Sequence, residues 1–131
     1  MIFEENYLDV LQNIEFGIVS VYREHPDLCD YEVMRALDAV IELYRAEARG
    51  HNPKTFHLPE KETRVFQSVQ DMCEFRLGRK DLEDGIQATA MEKKMPDEIV
   101  ACLRKIRKSV DRWNRQGGRQ GYLQFVCQYV K

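Results

Sequence analysis

The clearest helical signal in the chain is the run at residues 96–118, PDEIVACLRKIRKSVDRWNRQGG. Its apolar residues recur at spacings of four, three, four and three, which is typical of a helix with one buried stripe. The stripe consists of Ile99, Leu103, Ile106, Val110 and Trp113. Pro96 suits the first helical position, because a backbone N–H there would have no acceptor within the helix. Gly117-Gly118 ends the pattern. The run predicts one long amphipathic helix.

The rest of the chain shows the same periodicity, and no segment alternates in the way a half-buried strand does. Helices are predicted near 6–24, 30–49, 59–77 and 96–116, with a shorter C-terminal element near 121–130. That last element is predicted as a helix, with a strand as the alternative over so few residues. Residues 79–95 are weakly patterned and predict one or two short helices. The fold class is therefore all-α, a compact bundle of four main helices plus a short C-terminal helix, with consecutive helices as antiparallel neighbours.

Length and composition indicate one domain, covering residues 1–131. The chain has a mass of 15.5 kDa, and 44% of its residues are hydrophobic, enough for one core and too little for two. The formal net charge of -2 fits neither a strongly basic nucleic-acid binder nor an acidic disordered tail.

The charge is unevenly distributed along the chain. Residues 1–50 carry a net charge of -7, residues 51–90 carry -1, and residues 91–131, with ten basic and four acidic residues, carry +6. Such asymmetry is typical of a nucleic-acid or membrane surface on the basic side, and equally of two chain ends that pack against each other. The sequence leaves both interpretations open.

The cysteines, the N-terminus and the apolar runs predict a cytoplasmic protein that is not attached to a membrane. No apolar run approaches the roughly 18 residues of a membrane span, and Met1–Glu5 is acidic where a signal peptide is basic. The cysteines are single and widely spaced, without a C-x-x-C pair, so we expect reduced thiols. They are Cys29, Cys73, Cys102 and Cys127, and we expect the last three to act as small apolar residues beside helical stripes.

A row of cations marks the face of the 96–116 helix opposite its apolar stripe. Arg104, Lys108, Arg112 and Arg115 project within about 80° of one another, with Lys105 beside them. Such a row could neutralise successive phosphates of a nucleic acid or a phosphorylated metabolite. The alternative is a solvated face that is balanced by the acidic N-terminal helices.

The turn that follows, Arg115–Gly121, is rich in glycine. Gly117, Gly118 and Gly121 would allow backbone N–H groups to converge on an anion, with Arg115 and Arg119 as its partners. The Walker and dinucleotide fingerprints are both absent, and a plain tight connection between helices explains the glycines equally. The candidate anion site is therefore Arg104, Lys108, Arg112, Arg115, Gly118, Arg119 and Gly121.

Three residues depart from the helical patterns around them. Arg76 lies on the apolar side of its helix, so we expect an acidic partner or a position at the rim of the core. Phe16 lies on the polar side of the first helix and Leu43 lies outside the main stripe of the second. Phe16 and Leu43 are the candidate interface residues for a homodimer.

No arrangement of residues predicts catalysis, a metal or a cofactor. His25, His51 and His57 fall in turns, and the serines and cysteines lack nucleophile signatures. The sequence predicts a non-enzymatic protein–protein interaction module or homodimer, with self-association as the expected partnership. The alternative is a binder of a phosphate-rich ligand through the basic row and the glycine turn, so nucleic acid is allowed but not favoured.

Overall fold

The computed structural model confirms the all-α prediction. It describes residues 2–53, 55, 57–81 and 93–128, and the side chains of residues 10–118 and 120–128 among them. This part of the chain contains no strand. Its α-helices are α1 (Ile2–Glu24), α2 (Asp30–Ala48), α3 (Glu60–Arg76), α4 (Pro96–Gly117) and α5 (Gly121–Val126), with a 3-10 turn at Gly118–Gln120.

Most helix ends agree with the prediction to within one or two residues. The first helix begins earlier than predicted, at Ile2 instead of residue 6. The N-cap of α2 is Cys29, whose backbone N–H donates to Oε1 of Glu32 at 3.1 Å. Of the weakly patterned segment 79–95, residues 82–92 lie outside the described residues, so the predicted short helices there are not tested.

Helices α1 and α3 lie antiparallel and close together. Arg64, near the start of α3, binds Glu24 at the end of α1 through an Nη2–Oε2 contact of 2.8 Å. Halfway along, Ser68 donates its hydroxyl to the carbonyl oxygen of Gly17 at 2.8 Å. A Cβ on Gly17 would lie 3.0 Å from the carbonyl oxygen of Ser68, so glycine is what allows the two backbones to approach.

Helices α2 and α3 run parallel, which corrects the expectation that consecutive helices are antiparallel neighbours. Arg35 and Glu62, in the first halves of α2 and α3, lie 3.6 Å apart between Nη1 and Oε1. Glu47 and Arg79, at the far ends, are joined at 3.1 Å. Because eleven residues (49–59) separate the two helices, the connection is long enough to return along the whole bundle.

The core lies where α1 and α2 each pack against both α3 and α4. Ile99, Leu103, Ile106 and Val110 of α4 are buried, as predicted. Trp113 is different: it is half-buried, and its ring stacks on Phe125 of α5 with centroids 4.4 Å apart. The apolar stripe of α4 therefore ends against the short C-terminal helix instead of in the center of the bundle.

Candidate functional site

The solvent face of α4 carries the predicted row of cations. The opposite face supplies the core, so helical geometry turns Arg104, Lys108 and Arg112 outward, and all three are exposed. They are spaced four residues apart, which places successive residues about 6 Å apart along the helix axis. We call these three residues the basic face.

The basic face is not neutralised by the side chains that the structure describes. No described carboxylate forms an ion pair with Arg104, Lys108 or Arg112. Arg115, predicted to belong to the same row, is paired within its own helix: its Nε lies 2.9 Å from Oδ1 of Asp111. Among the described side chains, the row therefore has three cations that form no ion pair and a fourth, Arg115, that is paired with Asp111.

An acidic residue from the N-terminal third does reach α4, but it binds on the flank of the helix. Asp38 of α2 accepts from Nε and Nη2 of Arg107 at 2.5 and 3.2 Å. The hydrogen bond to Asp38 raises the pKa of Arg107. Arg107 projects about 60° away from Arg104 around the helix, on the same side as Asp111. Asp38 with Arg107 and Asp111 with Arg115 thus form a border of ion pairs along one side of the basic face.

At its C-terminal end, the basic face meets a pair of aromatic rings. The guanidinium carbon of Arg112 lies 5.4 Å from the ring centroid of Trp113, within the range of a cation–π contact. The Trp113 ring is in turn nearly parallel to Phe125, with 11° between their planes. These contacts fix Arg112 at the surface and hold α5 against α4.

The glycine turn is shaped by packing. Gly118 has φ +70°, a conformation that side chains of L-residues rarely adopt, and it ends α4. Gly121 is buried at the start of α5, where a Cβ would lie 2.0 Å from the carbonyl oxygen of Trp113. The closeness of α5 to α4 explains this glycine without an anion. The side chain of Arg119 lies outside the described residues, so its predicted place beside an anion is not tested.

The structure also joins α1, α4 and α5 through buried polar groups that the sequence analysis did not single out. Tyr122 donates its hydroxyl to Oε2 of Glu15 at 2.7 Å and its backbone N–H to Oδ1 of Asn114 at 2.9 Å. Burial raises the pKa of Tyr22 on α1 to about 12. A signal for Glu15 was present, since Leu11, Glu15 and Ile18 share one helical face.

Arg76 is buried in the core and not at its rim, which corrects that part of the prediction. Only 1% of the residue is exposed, and its Nη1 donates to Oδ1 of Asn13 at 2.8 Å. One partner of the Arg76 guanidinium is therefore a side-chain amide of α1. This contact assigns Arg76 to holding α1 against the end of α3.

The candidate interface residues differ in exposure. Phe16 is 43% exposed on α1, whereas Leu43 is half-buried and packs against the core from α2. Of the thiols expected to be apolar, Cys73 and Cys102 are buried, and burial raises the pKa of both, that of Cys102 to about 11. Cys127 is exposed, because α5 ends one residue before it, so the prediction was wrong for this thiol.

Comparisons of the chain with models of protein families, with curated proteins and with solved structures gave no match. None of the described helices is long and apolar enough to cross a membrane. Within the described residues, no group of three or more His, Cys, Asp or Glu side chains is arranged to hold a metal ion.

Proposed function

We propose that this chain is a non-enzymatic binding protein whose basic face, Arg104, Lys108 and Arg112, binds a phosphate-rich ligand. The observation that carries the proposal is that these three neighbouring cations are exposed and form no ion pair with a described carboxylate. Elsewhere on the surface, arginines such as Arg64 and Arg79 are bound to carboxylates. A ligand would therefore gain the attraction of the basic face without first breaking an ion pair to a described carboxylate.

Spacing supports the same function. Neighbouring members of the basic face are about 6 Å apart along the axis, which is less than the screening length of about 8 Å at physiological salt. A phosphate that approaches one cation therefore also feels the next one. Phosphate groups are favoured ligands because a guanidinium can donate two parallel hydrogen bonds to them.

The test uses labelled inorganic polyphosphate as the probe, with adenosine triphosphate as the small-metabolite arm. We expect polyphosphate to bind the full chain with an affinity that falls steeply with salt. The double variant R104Q/K108Q should weaken binding about tenfold or more at low salt. The matched control is R23Q/R49Q, which removes the same charge from exposed arginines of α1 and the end of α2. Failure to bind, or equal losses in both variants, would contradict the proposal.

Self-association is the second candidate, and the exposure of Phe16 is the observation that favours it. An aromatic ring that is 43% exposed on a helix whose other side lies in the core suits a contact with a second copy of the chain. If α1 is this interface, Phe16→Asp should lower the mass in sedimentation equilibrium at tens of micromolar protein. Tyr31→Asp, at another exposed aromatic, is the control. A wild-type chain that stays monomeric would refute this candidate.

The proposed compartment is the cytoplasm. It rests on the unpaired cysteines, since Cys29, Cys73, Cys102 and Cys127 are all free thiols in the structure. Reduced thiols are the ordinary state of cysteine in that compartment.

A further inference from the structure

We infer that the ligand of the basic face is a single strand of nucleic acid, held by its phosphates along the axis of α4 and bound without regard to base sequence. This inference rests on the proposed function and specifies its ligand. It follows from the shape of the basic face, from the charges beside it and from the contacts of the nearby aromatic rings.

The basic face is a line on a convex surface. Arg104, Lys108 and Arg112 follow one helix for about 12 Å, so a ligand that contacts all three must be extended. A small phosphorylated metabolite carries its phosphates close together and reaches only part of the line. A nucleic-acid strand has a sugar between successive phosphates, and this separation suits cations that lie about 6 Å apart.

This border of ion pairs restricts the width of the ligand, because its arginines are already bound to carboxylates. Asp111 lies beside Lys108, and Asp38 is held next to it by Arg107, with more than half of the Asp38 side chain exposed. A helix that enters the major groove faces a phosphate backbone on both of its sides, so one backbone of a duplex would meet these carboxylates. An anionic membrane, which is broad and flat, would meet them as well. One strand, lying on the Lys105 side of the border, avoids them.

The aromatic rings beside the basic face are already engaged. Trp113 stacks on Phe125 and lies under the guanidinium of Arg112, so these contacts occupy the ring faces that would otherwise stack on bases. The strand is then bound through its phosphates alone. Binding of this kind is strongly salt-dependent and tolerant of sequence.

The test is fluorescence anisotropy of the full chain with a labelled oligo(dT) of about 12 nucleotides. Three phosphate contacts predict a slope of about -2 when the logarithm of affinity is plotted against that of salt concentration. For R104Q/K108Q, the slope should shrink to about -0.7, and the R23Q/R49Q control should keep the wild-type slope. Oligo(dA) of the same length should bind within about threefold of oligo(dT).

Other outcomes overturn the inference and separate it from the proposed function. If polyphosphate binds through Arg104 and Lys108 but oligo(dT) does not, the inference fails and the proposed function stands. If neither probe binds, both fail. Tighter binding of a DNA hairpin duplex, or of vesicles rich in phosphatidylserine, than of oligo(dT) would assign the basic face to another ligand class.

Discussion

Asp111 places one negative charge beside a row of cations. Its carboxylate is one turn from Lys108 and binds Arg115, whose side chain is otherwise 78% exposed. If the basic face binds phosphates, Asp111 competes with the ligand for Arg115 and repels it. Asp111 therefore limits the affinity of the face, and removing its charge should free a fourth cation.

We predict that Asp111→Asn strengthens binding of polyphosphate about fivefold at low salt and steepens the salt slope by about one contact. The free energy of unfolding should fall only slightly, because exposed ion pairs contribute only about 0–1 kcal/mol to stability. The measurement is a salt titration of binding. Asp71→Asn is the control, since it removes the same charge from an exposed ion pair that joins α3 to Lys80. An unchanged or weaker affinity for Asp111→Asn would show that Arg115 does not join the basic face.

At the scale of elements, α5 is positioned by a close approach to the backbone of α4. We predict that Gly121→Ala destabilises the protein by about 3 kcal/mol, because its Cβ would meet the backbone carbonyl of Trp113, which has no flexible end to move aside. Urea unfolding monitored by tryptophan fluorescence would measure the loss.

The matched control for this prediction is Gly117→Ala. Gly117 has negative φ, and a Cβ there would meet nothing within 4 Å, so its free energy of unfolding should stay within about 0.5 kcal/mol of wild type. Equal stability of Gly121→Ala and wild type would mean that α5 does not dock as described.

The sequence alone predicts the helices, the apolar stripe of α4 and the basic face, because each depends on the periodicity of a single helix. Asp111 with Arg115 was also readable, as an i,i+4 pair. The pairing of Asp38 with Arg107 could not be read, since it joins residues 69 positions apart. The parallel course of α2 and α3 was missed for a similar reason: an eleven-residue connection is long enough for either direction.

At the scale of the whole molecule, the acidic N-terminal helices and the basic remainder are partly joined by ion pairs. Glu24 binds Arg64, Asp38 binds Arg107, and Glu47 binds Arg79. These ion pairs join distant parts of the chain, as one interpretation of the charge asymmetry expects. The other interpretation, a ligand-binding surface on the basic side, stays a prediction.

Buried phenols make the stability of the whole molecule sensitive to alkali. The pKa of Tyr22 is raised from 10 to about 12, first by burial, and burial also raises the pKa of Tyr44. Between these values the folded state holds a proton that the unfolded state releases. The stabilisation is complete below about pH 10 and is lost as the pH rises toward 12.

We therefore expect the free energy of unfolding to fall from about pH 10 upward and to fall less steeply in Tyr22→Phe, which has no hydroxyl to titrate. Urea titrations at a series of pH values measure this slope. Tyr31→Phe, at an exposed tyrosine, should keep the wild-type slope. Identical slopes in wild type and Tyr22→Phe would show that this phenol does not govern the alkaline loss.

Because α2 and α3 run parallel, the connection at residues 49–59 must span the length of α2 and has few residues to spare. Returning along a helix of 19 residues means spanning about 28 Å, which takes eight or nine extended residues, and eleven are available. Deleting two residues from 50–53 should leave the bundle folded, whereas deleting four should force α3 out of its place, as thermal unfolding would report. Added residues would only lengthen the connection. Evolution of this chain can therefore extend that segment freely but can shorten it by about two residues at most.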